Sequence, residues 1–196
     1  MDIAFIVGNF PKVSETFILN QVTGLINAGH DVDIISLKRP DESQKHEDVN
    51  SYNLMEKTTY VSSTDTYFRA LSSLLTTPLD LWFTQSVPMS DLVSTLTTGT
   101  RAVKHYEMTK SVLEAGDYDV YHAHFGPMGD FSRLTFEHTD TPAVVSFYGQ
   151  DVSRALEKEP RRYTPMFRSV DAVTALSNEM CKNLQKLGCA REKILK

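Results

Sequence analysis

Two histidines separated by one residue, His122 and His124, sit in the run Tyr118-Asp119-Val120-Tyr121-His122-Ala123-His124-Phe125, which breaks at Gly126-Pro127 and is followed by Asp130. Residues two apart in a strand share a face. Such a pair can hold a metal, with Asp130, Asp151 or His105 as a third ligand, or it can offer one imidazole to a substrate. No HExxH or other ligand spacing accompanies it, so a metal site is not the expectation. His122, deeper in the strand, reads as a core histidine, and His124, beside the Gly-Pro break, as the functional one. A second stretch, Gly8 to Thr16, offers a turn glycine and then the Ser14 and Thr16 hydroxyls at a helix start, a setting that favours phosphate or other acceptor-rich groups. Ser14 also reads as a plain N-cap, and Glu15 as an acceptor for sugar hydroxyls. The stretch lacks the lysine of a Walker loop and the glycines of GxGxxG. In a third, Tyr148-Gly149-Gln150-Asp151, a phenol and a carboxylate share a tight turn, where both can bind sugar hydroxyls or Asp151 can simply cap the next segment. Lys158, Arg161 and Arg162, interrupted by Glu157 and Glu159, read as a solvated face, and the remaining histidines as surface or structural residues.

Elements must bring these stretches together. Ile3–Val7 is wholly apolar and ends at Gly8-Asn9, as a buried parallel strand does. A helix is expected from Ser14, with Val13 and Ile18 as a hydrophobic staple, a face of Phe17, Ile18, Gln21, Val22, Leu25 and Ile26, and Gly29 as the stop. Val32–Leu37 completes a βαβ unit. Lys38–Lys57 reads as a surface loop, followed by a short strand near Thr59–Ser62. Helices are expected over Tyr67–Leu75, Pro78–Thr84 and Asp91–Ala115, separated by Pro78 and Pro88 and ended by Gly116. After the histidine strand, Phe131, Leu134 and Thr135 have helical spacing. Pro142–Phe147 and Asp171–Leu176 read as strands, and Ser177 caps a helix through Leu187 with Gly188 beyond it. Arg191–Lys196 begins another strand, so the chain is expected to continue. This order predicts one α/β domain over 1–196, a Rossmann-like doubly wound and mostly parallel sheet, with ligands at the carboxyl ends of its strands.

Composition sets the class. With 41% hydrophobic and 23% charged residues and a net charge of -5, the chain is ordinary for a globular protein, and its acidity argues against nucleic acid. Cys181 and Cys189 form no framework or CxxC pair and are expected as reduced thiols, which points to the cytoplasm. No signal sequence or membrane-crossing run is visible, so membrane contact would be peripheral. Leu74, Leu75, Leu79, Trp82 and Phe83 are expected in core packing.

Phe10-Pro11-Lys12-Val13-Ser14-Glu15-Thr16-Phe17-Ile18 resembles the Phe-Pro-x-x-Ser-Glu-Thr-Phe signature of an exopolysaccharide and colanic acid branch of the family 4 retaining glycosyltransferases. Tyr118–Phe125 resembles that family's Asp-x-x-His-x-His strand, Ser146–Ser153 its Phe-His-Gly-x-Asp turn, and Ala175-Leu176-Ser177 with Leu187-Gly188 the approach to its interdomain linker. The resemblance implies the N-terminal, acceptor-side half of a GT-B fold, with a nucleotide-sugar-binding C-terminal half beyond Lys196. It implies transfer from a nucleotide-sugar to a glycan or lipid-linked glycan in cell-surface polysaccharide biosynthesis, with no essential metal or other cofactor. Gly8, Ser14, Glu15 and Thr16 would face the donor phosphate or the acceptor, His124 would contact the transferred sugar as the catalytic residue, and Tyr148, Asp151 and Asp130 would line the acceptor cleft. Two departures stand out: Ser14-Glu15 replaces the family's double glycine, and Tyr148 its usual histidine. A tyrosine, with a reference pKa of about 10, is no base near neutral pH. The competing readings are a metal-dependent hydrolase built on His122 and His124, and a non-catalytic module that binds a glycan or a partner.

Overall fold

The computed structural model describes residues 1–40, 46–61 and 67–196, with side chains from residue 72 onward in the last of these. In chain order the elements are β1 (Asp2–Asn9), α1 (Thr16–Asn27), β2 (Asp31–Lys38), α2 (Glu47–Ser51), β3 (Thr58–Tyr60), α3 (Tyr67–Gln85), α4 (Met89–Thr95) and α5 (Ala102–Ala115). There follow β4 (Val120–His124), α6 (Gly126–Phe131), α7 (Arg133–His138), β5 (Ala143–Ser146), α8 (Gly149–Lys158), α9 (Thr164–Ser169), β6 (Ala172–Thr174), α10 (Asn178–Lys186) and β7 (Ile194–Leu195). The strands form one seven-stranded sheet in the order β3-β2-β1-β4-β5-β6-β7, every pair parallel. This is the expected doubly wound α/β arrangement. The order reverses between β1 and β4, and the crevice for ligands opens outside the carboxyl ends of those two strands.

β1 is apolar on both faces because both are covered. Ile3, Phe5 and Val7 pack with Ile18, Leu19 and Val22 of α1 and with Val32 and Ile34. Ala4 and Ile6 join Tyr121, Ala123, Val145 and Val173 against helices of the other layer, through Met108, Val112, Phe131, Val152, Met166 and Leu184. A smaller cluster of Leu81, Leu92, Tyr106 and Leu134 ties α3, α4 and α5 to α7. Both cysteines are free and buried, and burial pushes the Cys189 thiol up to about 11.

Local departures from the sequence reading have local causes. Ser14 lies inside a 3-10 turn, Val13–Glu15, and is exposed, so α1 begins only at Thr16 and Ser14 does not cap it. Val13 is 48% exposed, which removes the expected staple, and the buried stripe of α1 is Ile18, Leu19, Val22 and Thr23, leaving Phe17 and Gln21 outside. Gly29 (φ 86°), Gly116 (φ 142°) and Gly188 (φ 97°) end their helices as expected, in backbone that favours glycine. α3 continues through Pro78 instead of dividing there. Proline removes one backbone bond, and the tertiary contacts of Thr77 with Glu107 (3.0 Å) and of Asp80 with Lys110 hold the helix on α5 across that point. The expected helix Asp91–Ala115 is broken by Gly99 (φ 64°, ψ −130°), within a 3-10 stretch Leu96–Arg101. Residues 41–45 of the expected loop and Ser62 lie outside the described residues; the rest of that loop contains α2. The last two strands are shorter than expected, with a 3-10 turn, Arg191–Lys193, before β7. Leu75 (66%), Leu79 (48%), Trp82 (44%) and Phe83 (74%) are exposed, so only Leu74 of that group joins the core. Among the described residues no helix is long and apolar enough to cross a membrane.

The loop after β4 leaves no room for side chains on the inner face of α6. A Cβ on Gly129 would stand 2.6 Å from Met166 Sδ and 2.7 and 2.9 Å from the two Val145 γ-carbons. Valine is stiff at χ1 and cannot swing away. Gly129→Ala is therefore expected to cost about 1–3 kcal/mol by overpacking and to lower the thermal midpoint by several degrees. An unchanged melting curve would show that α6 can lift off β5 freely.

Candidate functional site

All three stretches singled out by their chemistry meet at the carboxyl edge of the sheet. β4 ends with His124, whose ring stacks on Phe5 (4.9 Å, 26°) and lies 4.3 Å from His122. His124 is completely buried. Its Nδ1 is 3.0 Å from Tyr148 Oη, and its Nε2 has no hydrogen-bond partner among the described residues. Burial pushes the imidazole down to about 2, with His122 adding to the effect, so His124 is neutral. The two histidines exchange the places expected for them: His122 keeps partial exposure and His124 has none. Phe5 from β1 and Tyr148 from the loop after β5 close over the later residue, and neither is local in sequence. His122 Nε2 lies 2.8 Å from Ser146 Oγ, which accepts from Thr174 Oγ1 at 2.8 Å. A serine that accepts from the threonine still has its own proton to give His122 Nε2. Burial pushes His122 down to about 4.

Tyr148 and Asp151 open α8 instead of forming a free turn. Asp151 Oδ2 accepts from the Tyr148 N–H (3.4 Å) and the Gly126 N–H (3.1 Å), so one carboxylate ties the starts of α8 and α6 together. Of its two readings, the cap is realised. Burial raises the Asp151 carboxyl against the pull of those two amides, and it raises the Tyr148 phenol to about 12, with the charges of Asp151 and Glu15 contributing. Around Tyr148 stand Phe17 (4.8 Å between ring centroids) and Phe125 (4.6 Å), themselves 6.2 Å apart. Sequence reasoning missed both phenylalanines. Phe17 passed for part of a core face, and Phe125 was only the residue before the Gly-Pro break.

In the first loop Ser14 and Thr16 are exposed and Gly8 is half-buried. Lys12 Nζ donates to Glu15 Oε1 at 2.7 Å, and Glu15 Oε2 is buried with no partner among the described residues. Asp130 is not on the open rim. It is 5% exposed and accepts from Arg162 Nε at 3.1 Å. Arg162 also donates to Glu159 (3.1 Å) and lies over the Phe131 and Tyr163 rings, so it leaves the expected solvated face, where Lys158 and Arg161 remain. Burial pushes the Asp130 carboxyl up, and the Arg162 guanidinium offsets only part of that. His105 is fully buried, edge-on to Phe131 at 5.3 Å, while His138 pairs with Asp91 at 3.0 Å. Among the described residues no group of three His, Cys, Asp or Glu side chains is placed to hold a metal ion.

Comparison with known proteins gives this edge a context. The family model described as Glycosyltransferase Family 4 matches residues 14–195. Over 99% of its length the chain is 30% identical to a putative colanic acid biosynthesis glycosyltransferase, WcaL, of Escherichia coli (strain K12), covering 49% of that protein. It is 28% identical to the amylovoran biosynthesis glycosyltransferase AmsK of Erwinia amylovora, again covering 49% of it. The chain thus spans about half the length of the curated relatives it matches. Among solved structures, the apo form of the lipopolysaccharide outer core galactosyltransferase WaaB superposes on the whole chain with a TM-score of 0.60 at 12% identity, over 45% of its own chain. A UDP-GlcNAc 2-epimerase from Methanocaldococcus jannaschii does so with a TM-score of 0.53 at 13% identity and the same 45% share. Both likenesses concern the fold.

Proposed function

The chain belongs to glycosyltransferase family 4, and on that premise we propose that it is the acceptor-side half of an enzyme of exopolysaccharide biosynthesis. That enzyme moves a sugar from a nucleotide-sugar to a glycan or lipid-linked glycan, with retention and without an essential metal or other cofactor. The observation that carries this reading is the family match over residues 14–195, whose chemistry-bearing residues the fold gathers at one sheet edge. In it, the exposed Ser14 and Thr16 hydroxyls beside Gly8 face the donor, while Glu15, tied to Lys12, stands with Tyr148 on the acceptor side. Asp151 and Asp130 act from behind, by fixing the starts of α6 and α8 and by holding Arg162. His124, fully buried beneath the rim, acts as a neutral positioning group that holds the Tyr148 phenol through Nδ1. Catalysis rests on positioning and on stabilising charge at the leaving phosphate, which the second half of the protein supplies. The exposed side of α3, with Leu75, Leu79, Trp82 and Phe83, supports peripheral contact with the cytoplasmic face of the membrane, where a lipid-linked acceptor resides.

The test is a screen of the full-length protein against labelled nucleotide-sugars with membrane-extracted acceptors. Transfer that keeps the anomeric configuration and survives chelation is expected. Absence of turnover with every nucleotide-sugar, or a zinc-dependent hydrolysis abolished by chelation, would overturn the reading.

A further inference from the structure

We propose that Phe17, Phe125 and Tyr148 form an aromatic platform on which one pyranose ring of the glycan acceptor stacks by its C–H face. This deepens the proposed function and rests on it. The rings come from three different elements, α1, the end of β4 and the start of α8, and their centroids are 4.6, 4.8 and 6.2 Å apart. They stand at the point where the strand order reverses, outside the carboxyl ends of the central strands. Phe17 is 36% exposed, and Phe125 and Tyr148 are partly so.

Backbone geometry singles out Phe125. Its φ of 73° with ψ of 138° lies where side-chain-bearing residues are held only when the surroundings impose it. Glycine would take this position at no cost, yet a phenylalanine occupies it and delivers its ring to the rim. Strain of that kind gathers at ligand clamps.

Charge selects the ligand. Lys12 is already tied to Glu15, and both Glu15 and Asp151 act on the Tyr148 phenol so as to disfavour further negative charge. The platform is therefore poorly suited to a phosphate and well suited to a neutral, hydroxyl-rich ring. Aromatic faces carry negative partial charge that attracts C–H edges.

The probe is a set of methyl glycosides of glucose, galactose, mannose and fucose, added to the full-length protein and read by saturation-transfer NMR, with uridine diphosphate as competitor. At least one glycoside is expected to bind through its ring C–H protons. Phe17→Ala should raise its Kd roughly tenfold, and Phe17→Tyr should restore it. Phe125→Gly, which relaxes the backbone but removes a ring that also packs against the core, should abolish the contact. Failure of every glycoside to bind, binding unchanged in Phe17→Ala or in Phe125→Gly, or displacement by uridine diphosphate would each overturn the platform. Nucleotide-sugar turnover by the wild type reads the proposed function separately. Turnover that persists with unaltered acceptor KM in these variants would remove the platform and leave that function standing.

Discussion

Replacing His124 with glutamine is expected to lower sugar transfer by the full-length enzyme by about 10²–10³-fold, the loss typical of one well-placed polar group or of misorientation at a reacting centre. Glutamine keeps a donor and an acceptor in a similar volume, whereas alanine would open a cavity beside Phe5 and mix lost stability with lost chemistry. Burial, with His122 adding to it, holds the imidazole down at about 2, so it is neutral near neutral pH. It therefore donates no proton from a charged form, and its contribution is direction, fixed by the 3.0 Å contact of Nδ1 with Tyr148 Oη. Removal should lower kcat and leave the far-ultraviolet circular dichroism unchanged, and His124 should contribute no inflection to the wild-type pH–rate profile between pH 5 and 9. Wild-type kcat/KM in His124→Gln would exclude His124 from the reaction.

Much of the frame could be read from local pattern. The apolar runs of β1 and β4, the stops at Gly29, Gly116 and Gly188, and the Ser177 cap, which accepts from the Met180 N–H at 3.1 Å, each follow from a few adjacent residues. Alternation along β4 showed that His122 and His124 share a face but not what lies over it. That depends on Phe5, paired in register with His122 from the far end of the chain, and on Tyr148, 24 residues past His124. The same limit hid the platform, because Phe17, Phe125 and Tyr148 are brought together only by the sheet order. It also misplaced Arg162, which looked solvated among its charged neighbours until Asp130, 32 residues earlier, came to meet it. For Asp151 the two readings of cap and sugar binding could not be divided from sequence, because the second amide its carboxylate accepts from, that of Gly126, lies 25 residues away.

Acid sensitivity is the second large effect to expect, and it arises from histidines buried in neutral form. His105 and His124 are wholly buried and held at about 3 and about 2, His105 mainly by burial with the guanidiniums of Arg133, Arg101 and Arg162 adding, and His122 is held at about 4. In the unfolded chain each would titrate near 6.5. Above that pH both states are neutral and the full stability is present. Below it the unfolded state binds protons that the folded state refuses, so stability falls with pH until the folded values are reached. Each such histidine costs about 1.4 kcal/mol per pH unit in that window, so the two fully buried ones cost roughly 3 kcal/mol per unit between pH 6 and 4, with His122 adding to this. The carboxyls of Asp130, Asp151 and Glu137, pushed up by burial, act with the opposite sign and favour the folded chain on acidification. One variant separates the two contributions. His105→Phe puts a non-titrating ring beside Phe131 and should flatten the urea-unfolding free energy between pH 6 and 4 by about 1.4 kcal/mol per unit relative to wild type. Parallel pH profiles for variant and wild type would mean that His105 is protonated in the folded chain, and its burial as a neutral ring would then have to be abandoned.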